Sequence, residues 1–300
     1  MSIRVASAPI SWGVMENVEL APGFTPERVL DEIAQSGYAG TELGPYGFLP
    51  TEPARLRAML AQRGLELCSA YVDIHLGDPS ALDAGMATVM TSARLIAEAG
   101  ARLLILSDAI TPERAKSAGR PEAANRLSWS EEEWERAVQA VGAVVQGCRS
   151  LGLAVAFHHH VGTHVETPEE IDRLLSLVPA SDLGLCLDTG HYVYGGGDLM
   201  PFLRREASRI RCVHLKDVHP EKLAEARARK LAYHDAVRHG VYAPLSEGAI
   251  DFPAALAILR GSGFAGWAVV EADVLPGGVG MESALANATA ARRYLRGQGL

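Results

Sequence analysis

The sequence predicts a (β/α)₈ TIM barrel from three observations. Eight short runs rich in Val, Ile and Leu alternate with amphipathic stretches, glycines punctuate the return from helix to strand, and acids and histidines gather at the carboxyl ends of the later strands. The strand candidates are residues 3–9, 39–44, 65–72, 102–108, 153–159, 183–189, 210–217 and 266–272. Near-continuous apolar runs of this length suit a parallel sheet covered on both faces. Helical periodicity occupies roughly 25–36, 52–63, 80–99, 131–151, 168–177, 198–206, 253–261 and 281–296. At Thr25-Pro26-Glu27 and Thr167-Pro168-Glu169 a capping hydroxyl precedes a proline at the first helical position and an acid in the first turn; Ser130 before Glu131, Glu132 and Glu133 does much the same. Gly37, Gly64, Gly100, Gly152 and Gly263 each follow a helical run, where the chain reverses through a left-handed residue. A doubly wound open sheet would bring a glycine-rich phosphate loop after its first strand, and Ser11-Trp12-Gly13 is not such a loop.

Three hundred residues, 48% of them hydrophobic, suit one barrel domain over residues 1–300, since the architecture takes about 250 residues before insertions. The surplus falls at about 109–130 and 219–250, after the fourth and seventh strands, on the face where barrel loops build lids and active sites. Arg227, Arg229, Lys230 and Arg238 in the second insertion read as a solvated helix face. A formal charge of −8 provides no basic field for nucleic acid or an anionic membrane, which leaves a small molecule as the expected partner. No apolar run reaches the roughly 18 residues that a membrane span needs, and the first residues lack a secretory leader pattern, so the expected location is the cytoplasm. Cys68, Cys148, Cys186 and Cys212 match no zinc spacing and are expected to be reduced and packed in the core.

The chemistry lies at four strand ends. The fifth closes on Phe157-His158-His159-His160, the sixth on Leu187-Asp188-Thr189-Gly190-His191, the seventh on Val213-His214-Leu215-Lys216-Asp217 and the eighth on Val270-Glu271-Ala272-Asp273. Carboxylates and imidazoles converging from several segments are what a divalent cation requires. Side chains alternate along a strand, so His158 and His160 share a face that His159 opposes, and Cys212, His214 and Lys216 share another.

These segments, together with Gly248-Ala249-Ile250-Asp251-Phe252 and Gly266-Trp267-Ala268-Val269-Val270-Glu271, resemble the xylose-isomerase-like sugar isomerase and epimerase barrels over nearly the whole chain. The resemblance implies one divalent ion, usually manganese, cobalt or magnesium, with zinc also admitted, held by Glu, Asp, His and Glu from four consecutive strands. Asp188, His214 and Glu271 match three of these ligands, and His158 aligns with the first, where most members carry glutamate. Which of His158, His159 and His160 ligates stays open. Within the family the chain is most similar to the inosose (2-keto-myo-inositol) dehydratases. Phe157-His158-His159-His160-Val161-Gly162-Thr163 looks like their Tyr-His-His-His-Met-Gly-Thr, and Ala8-Pro9-Ile10-Ser11-Trp12, Gly40-Thr41-Glu42-Leu43-Gly44 and Glu169-Glu170-Ile171-Asp172-Arg173-Leu174 resemble their other hallmarks. Pro244-Leu245-Ser246-Glu247-Gly248 departs from their Pro-Gly-Asp-Gly.

The resemblance implies removal of a proton next to the carbonyl of a polyhydroxy ketone, a step a metal ion assists as a Lewis acid. Epimerisation would need a second acid or base where this chain has His158, whereas elimination needs one base and one acid, for which imidazole suits. Dehydration of inosose or a close analogue is therefore expected, with isomerisation or epimerisation of a sugar or sugar phosphate as the alternative and a non-catalytic sugar-binding barrel as a third reading. His160 and His191 are candidates for proton transfer or hydroxyl contact, and Glu271 could double as base. Glu42 and Lys216 either bind substrate hydroxyls or pair with each other; Trp12 and Tyr192 either wall the substrate ring or pack in the core; His159, facing the other way, is expected to be structural or to support a ligand from behind. Gly277-Gly278-Val279-Gly280 is either a phosphate loop or a plain turn, and the exposed barrel helices are compatible with a homo-oligomer.

Overall fold

The computed structural model describes residues 2–15, 23–275 and 284–300. Eight parallel strands, Arg4–Ser7, Gly40–Glu42, Glu66–Ile74, Leu103–Asp108, Ala154–His158, Gly184–Asp188, Ile210–Leu215 and Trp267–Val270, pair in sequence order and close, the first lying against the eighth. Small and medium side chains fill the barrel interior, among them Ala6, Cys68, Ile105, Ala156, Cys186, Cys212 and Val269. All four cysteines are free and buried, Cys148 on the helix Glu131–Ser150. A second, larger apolar layer joins the strands to the outer helices Pro26–Ser36, Pro53–Ala61, Leu82–Ala99, Glu131–Ser150, Pro168–Leu177, Leu199–Glu206, Phe252–Gly261 and Ala284–Gly297. The caps follow the sequence signals: Thr25 Oγ1 accepts from Arg28 N, and Ser130 and Thr167 both close capping boxes, with Glu133 and Glu170. No helix is long and apolar enough to cross a membrane, among the described residues.

The strand limits differ from expectation in two places that matter. Pro9–Trp12 is a 3₁₀ turn rather than the tail of the first strand, because proline offers no N–H to a ladder and Gly13 closes the turn at φ 75°. The third strand runs on to Ile74, which carries its polar end into the bowl. The loop at 277–280 lies outside the described residues.

Both insertions form structure over the carboxyl end of the barrel. The first carries the short helices Pro112–Ser117 and Pro121–Asn125. Arg114, fully buried, makes a bidentate pair with Glu170 (2.9 and 2.7 Å), and Glu166 accepts from the Gly119 and Gly162 amides (2.8 and 2.7 Å), so the insertion is tied to the loop after the fifth strand. The second insertion breaks into two helices, Pro220–Ala228 and Tyr233–Arg238, separated where Lys230 takes φ 52°. The Asp217 carboxylate organises its return by accepting from the amides of Val218, Ser246, Gly248 and Ile250, beside a ribbon of Asp217–Val218 against Tyr242–Ala243. Arg227 is not simply solvated: it donates to the Gly119 and Tyr194 carbonyls and so links the two insertions.

Candidate active site

Parallel register sets the site. Asp188, the last residue of the sixth strand, lies opposite His214 on the seventh, which in turn faces Val269 on the eighth, while His158 ends the fifth. His158 Nε2 stands 3.5 Å from Asp188 Oδ2, and His214 Nδ1 stands 3.9 Å from that oxygen and 3.2 Å from Glu271 Oε2. Single donor atoms of His158, Asp188 and His214 lie within 4.8 Å of one another, and so do those of Glu42, His214 and Glu271. The expected four ligands are thus brought together as two groups sharing His214, and Glu42 joins them. Glu42 Oε1 accepts from Ser69 Oγ at 2.8 Å and lies 3.1 Å from His214 Nε2. Of the two alternatives for Glu42 and Lys216, the mutual ion pair is not formed: Glu42 pairs with His214, and Lys216 with Asp188, Glu271 and Asp273.

Lys216 Nζ is fully buried, 3.1 Å from Asp188 Oδ2, 3.1 Å from Glu271 Oε2 and 2.7 Å from Asp273 Oδ1. It gets there past a glycine: a Cβ on Gly190 would sit 2.7 Å from Lys216 Cγ. Burial favours neutral lysine, yet Asp188, Asp273 and Glu271 hold its pKa well above the usual value, so it remains an ammonium. Burial likewise opposes ionisation of Glu271 and Asp188. His214 and Lys216 nevertheless bring Glu271 down to about 2, and Lys216, His191 and His158 hold Asp188 well below the carboxylate range.

Three buried carboxylates, Asp188, Glu271 and Asp273, therefore face one ammonium, and a fourth, Glu42, lies against His214. With neutral imidazoles this leaves an anionic surplus that a low-dielectric bowl does not tolerate. The stress is visible at His214: burial disfavours its charge, but Cys186, Glu271 and Glu42 push its pKa well above the ordinary histidine value. Asp188 commits Oδ1 to the His191 amide (2.7 Å), while its Oδ2 and His214 Nδ1, both buried, make no directed hydrogen bond. Hard and borderline donors, orphaned and in anionic excess, are a chemical fit to a divalent cation.

Above these groups opens a cavity of about 380 Å³, whose wall includes Glu42, His158, His160, His214, Lys216 and Glu271. His160 Nδ1 lies 2.7 Å from the Val161 carbonyl and so donates, leaving Nε2 as a lone pair, and burial holds the ring well below the usual pKa and hence neutral.

Two expected contacts are corrected. His191 is wholly buried behind the wall, with Nε2 3.1 Å from Lys216 Nζ and Nδ1 3.1 Å from the Tyr242 hydroxyl. Nδ1 also accepts from the Val161 N–H at 3.2 Å, so both ring nitrogens are occupied and none is left for substrate. Trp12 is also wholly buried, in the large core, and donates to Glu32 Oε2 at 2.6 Å; the 3₁₀ turn carries it away from the cavity. Tyr192 is core as well, stacked on Phe202. His159, on the opposite face from His158, is buried with its pKa driven to about 3 by desolvation, consistent with packing.

Other wall residues escaped the sequence reading. Tyr71, Asp73 and His75 come from the end of the third strand, and Tyr233 and His234 from the second insertion. The alternation of polar side chains in Tyr71-Val72-Asp73-Ile74-His75 was the available signal for the former. For Tyr233, set in an insertion without periodicity, there was none.

A profile described as xylose isomerase-like TIM barrel matches residues 30–296. Among curated proteins, the rhizopine catabolism protein MocC of Rhizobium meliloti is 39% identical over 92% of this chain and 83% of its own length. An inosose dehydratase of Geobacillus kaustophilus is 35% identical over 91% of this chain and 88% of its own. A crystal structure of the IOLI protein with a bound zinc atom superposes with a TM-score of 0.73 at 14% identity, covering 98% of this chain and 96% of the other, a likeness of fold.

Proposed function

The chain belongs to the xylose isomerase-like TIM barrel family, and from that premise we propose that this enzyme is a divalent-metal-dependent lyase that dehydrates 2-keto-myo-inositol or a close analogue. The observation that carries the reading is the metal-fitting donor set of His158, Asp188, His214, Glu271 and Glu42 beneath a wall that includes the neutral His160 imidazole, whose Nδ1–H is given to the Val161 carbonyl. The curated relatives named as inosose dehydratases support the substrate.

His158, Asp188, His214 and Glu271, with Glu42 beside them, would hold a manganese, cobalt, magnesium or zinc ion. When bound, the ion supplies Lewis-acid stabilisation of negative charge on a carbonyl oxygen, contributing several kcal/mol. His160 Nε2 takes the proton from the carbon next to the ketone, and the C–H electron pair passes into the carbonyl to give an enolate. Collapse of the enolate breaks the C–O bond to the β-hydroxyl, which leaves as water after taking the proton back from His160; the organic product is an enone, the enol form of a dione. Lys216, kept cationic on the same wall, holds Asp188, Glu271 and Asp273 in place. Glu271 is held by His214 and Lys216 and serves the ion.

Incubation with inosose and Mn²⁺ or Co²⁺ is expected to yield the dione, followed by its absorbance and by NMR. Formation of an epimerised ketone without loss of water would replace the lyase by an epimerase. His160→Ala is expected to keep its metal and lose about 10²-fold in kcat, the usual worth of a general base; unchanged kcat would remove His160 from the mechanism.

A further inference from the structure

Beside the proposed metal ligands lies a second group of potential ligands, His160, His191 and Asp273, with one donor atom of each within 4.8 Å of the others. His191 Nε2 is 3.7 Å from Asp273 Oδ2, close to the roughly 3.4 Å edge of a tetrahedron with bonds of about 2.1 Å. Each side chain is oriented from outside the group, as metal-ligating residues are. His160 Nδ1 donates to the Val161 carbonyl (2.7 Å), His191 Nδ1 meets the Tyr242 hydroxyl (3.1 Å), and Asp273 Oδ2 accepts from the Tyr233 hydroxyl (2.7 Å). These contacts leave His160 Nε2, His191 Nε2 and Asp273 Oδ1 for other partners.

The Lys216 ammonium meets two of them. It is 2.7 Å from Asp273 Oδ1, 3.1 Å from His191 Nε2 and 3.1 Å from both Asp188 Oδ2 and Glu271 Oε2. Four groups, three of them carboxylates, thus crowd one ammonium with three N–H donors. That is the environment of a small cation rather than of a hydrogen-bonded amine, and it shares Asp188 and Glu271 with the proposed metal centre.

We infer that the Lys216 ammonium fills a second cation position, built by His160, His191 and Asp273, and so keeps the centre mononuclear. The inference rests on the metal reading above. A tethered single charge partly neutralises the carboxylates shared by the two positions, and it demands none of the further oxygen ligands that a second ion would. It also leaves His160 free, since a second ion would claim the Nε2 lone pair that proton transfer uses.

The test is a metal count on protein saturated with Mn²⁺ and freed of excess ion by gel filtration. Wild type is expected to hold one ion per chain, with the six-line electron paramagnetic resonance spectrum of isolated Mn²⁺. Lys216→Met is expected to hold two, with the multiline spectrum of an exchange-coupled pair, and Lys216→Met/His191→Ala to return to one. A single uncoupled ion in Lys216→Met overturns the inference while leaving the metal centre standing; no ion in wild type overturns the centre itself. Should Lys216→Met not fold, the same count on Lys216→Gln, which keeps N–H donors for Asp273, decides in the same way.

Discussion

Asp188→Ala is expected to leave the protein without bound metal and to lower kcat/KM for inosose by at least about 10³-fold, equivalent to roughly 4 kcal/mol of transition-state stabilisation. Asp188 is central to the cluster: its Oδ2 lies 3.5 Å from His158, 3.9 Å from His214 and 3.1 Å from Lys216. Its removal takes a charged donor from the ion and leaves Lys216 short of one of the carboxylates that hold it. Because Asp188 Oδ1 also caps the helix Thr189–Tyr194, Asp188→Asn separates the two roles. The amide keeps an oxygen for the His191 N–H but lacks the charge, and it too is expected to lose the metal. Elemental analysis together with steady-state kinetics checks both variants, and stoichiometric metal in Asp188→Ala would refute this donor set.

Arg114→Met is expected to cost about 3–5 kcal/mol of stability, the usual penalty for breaking one side of a buried ion pair. Arg114 is fully buried, forks onto Glu170, donates to the Ala124 carbonyl and lies 3.9 Å from Glu166. Without the guanidinium two carboxylates stay buried beside each other. Glu166 already has its pKa raised to about 7, burial outweighing the amides of Gly162 and Gly119 and the charge of Arg114. The loss falls on the contact between the first insertion and the loop after His160, so a raised KM is expected along with the lower stability. Denaturant unfolding measures the first effect; a change below about 1 kcal/mol would mean that the pair contributes little.

The barrel was legible because its signals are local. Apolar runs, the capping threonines and the reversing glycines each act within a few residues, and the structure reproduces all eight strands and outer helices with shifted ends. The gathering of His158, Asp188, His214 and Glu271 was legible for a related reason: side chains two apart share a face, and parallel strands of a barrel end on one rim. Glu42 beside His214 was not, since the two are 172 residues apart and meet only across the closed barrel. Nor were the partners of Lys216 or the corrected places of His191 and Trp12. The turn that begins at Pro9 takes Trp12 into the core rather than to the substrate, and no local pattern reports that both nitrogens of His191 are occupied.

The sequence by itself determined the architecture, the order of its elements and which strand ends bear acids and imidazoles, all properties of neighbouring residues along the chain. Only the tertiary structure decided which of those groups touch, that Lys216 lies among three carboxylates, and that Tyr233 from an insertion orients Asp273. Such contacts depend on closure of the barrel and on strand register, and a shift of one residue would turn each side chain to the other face.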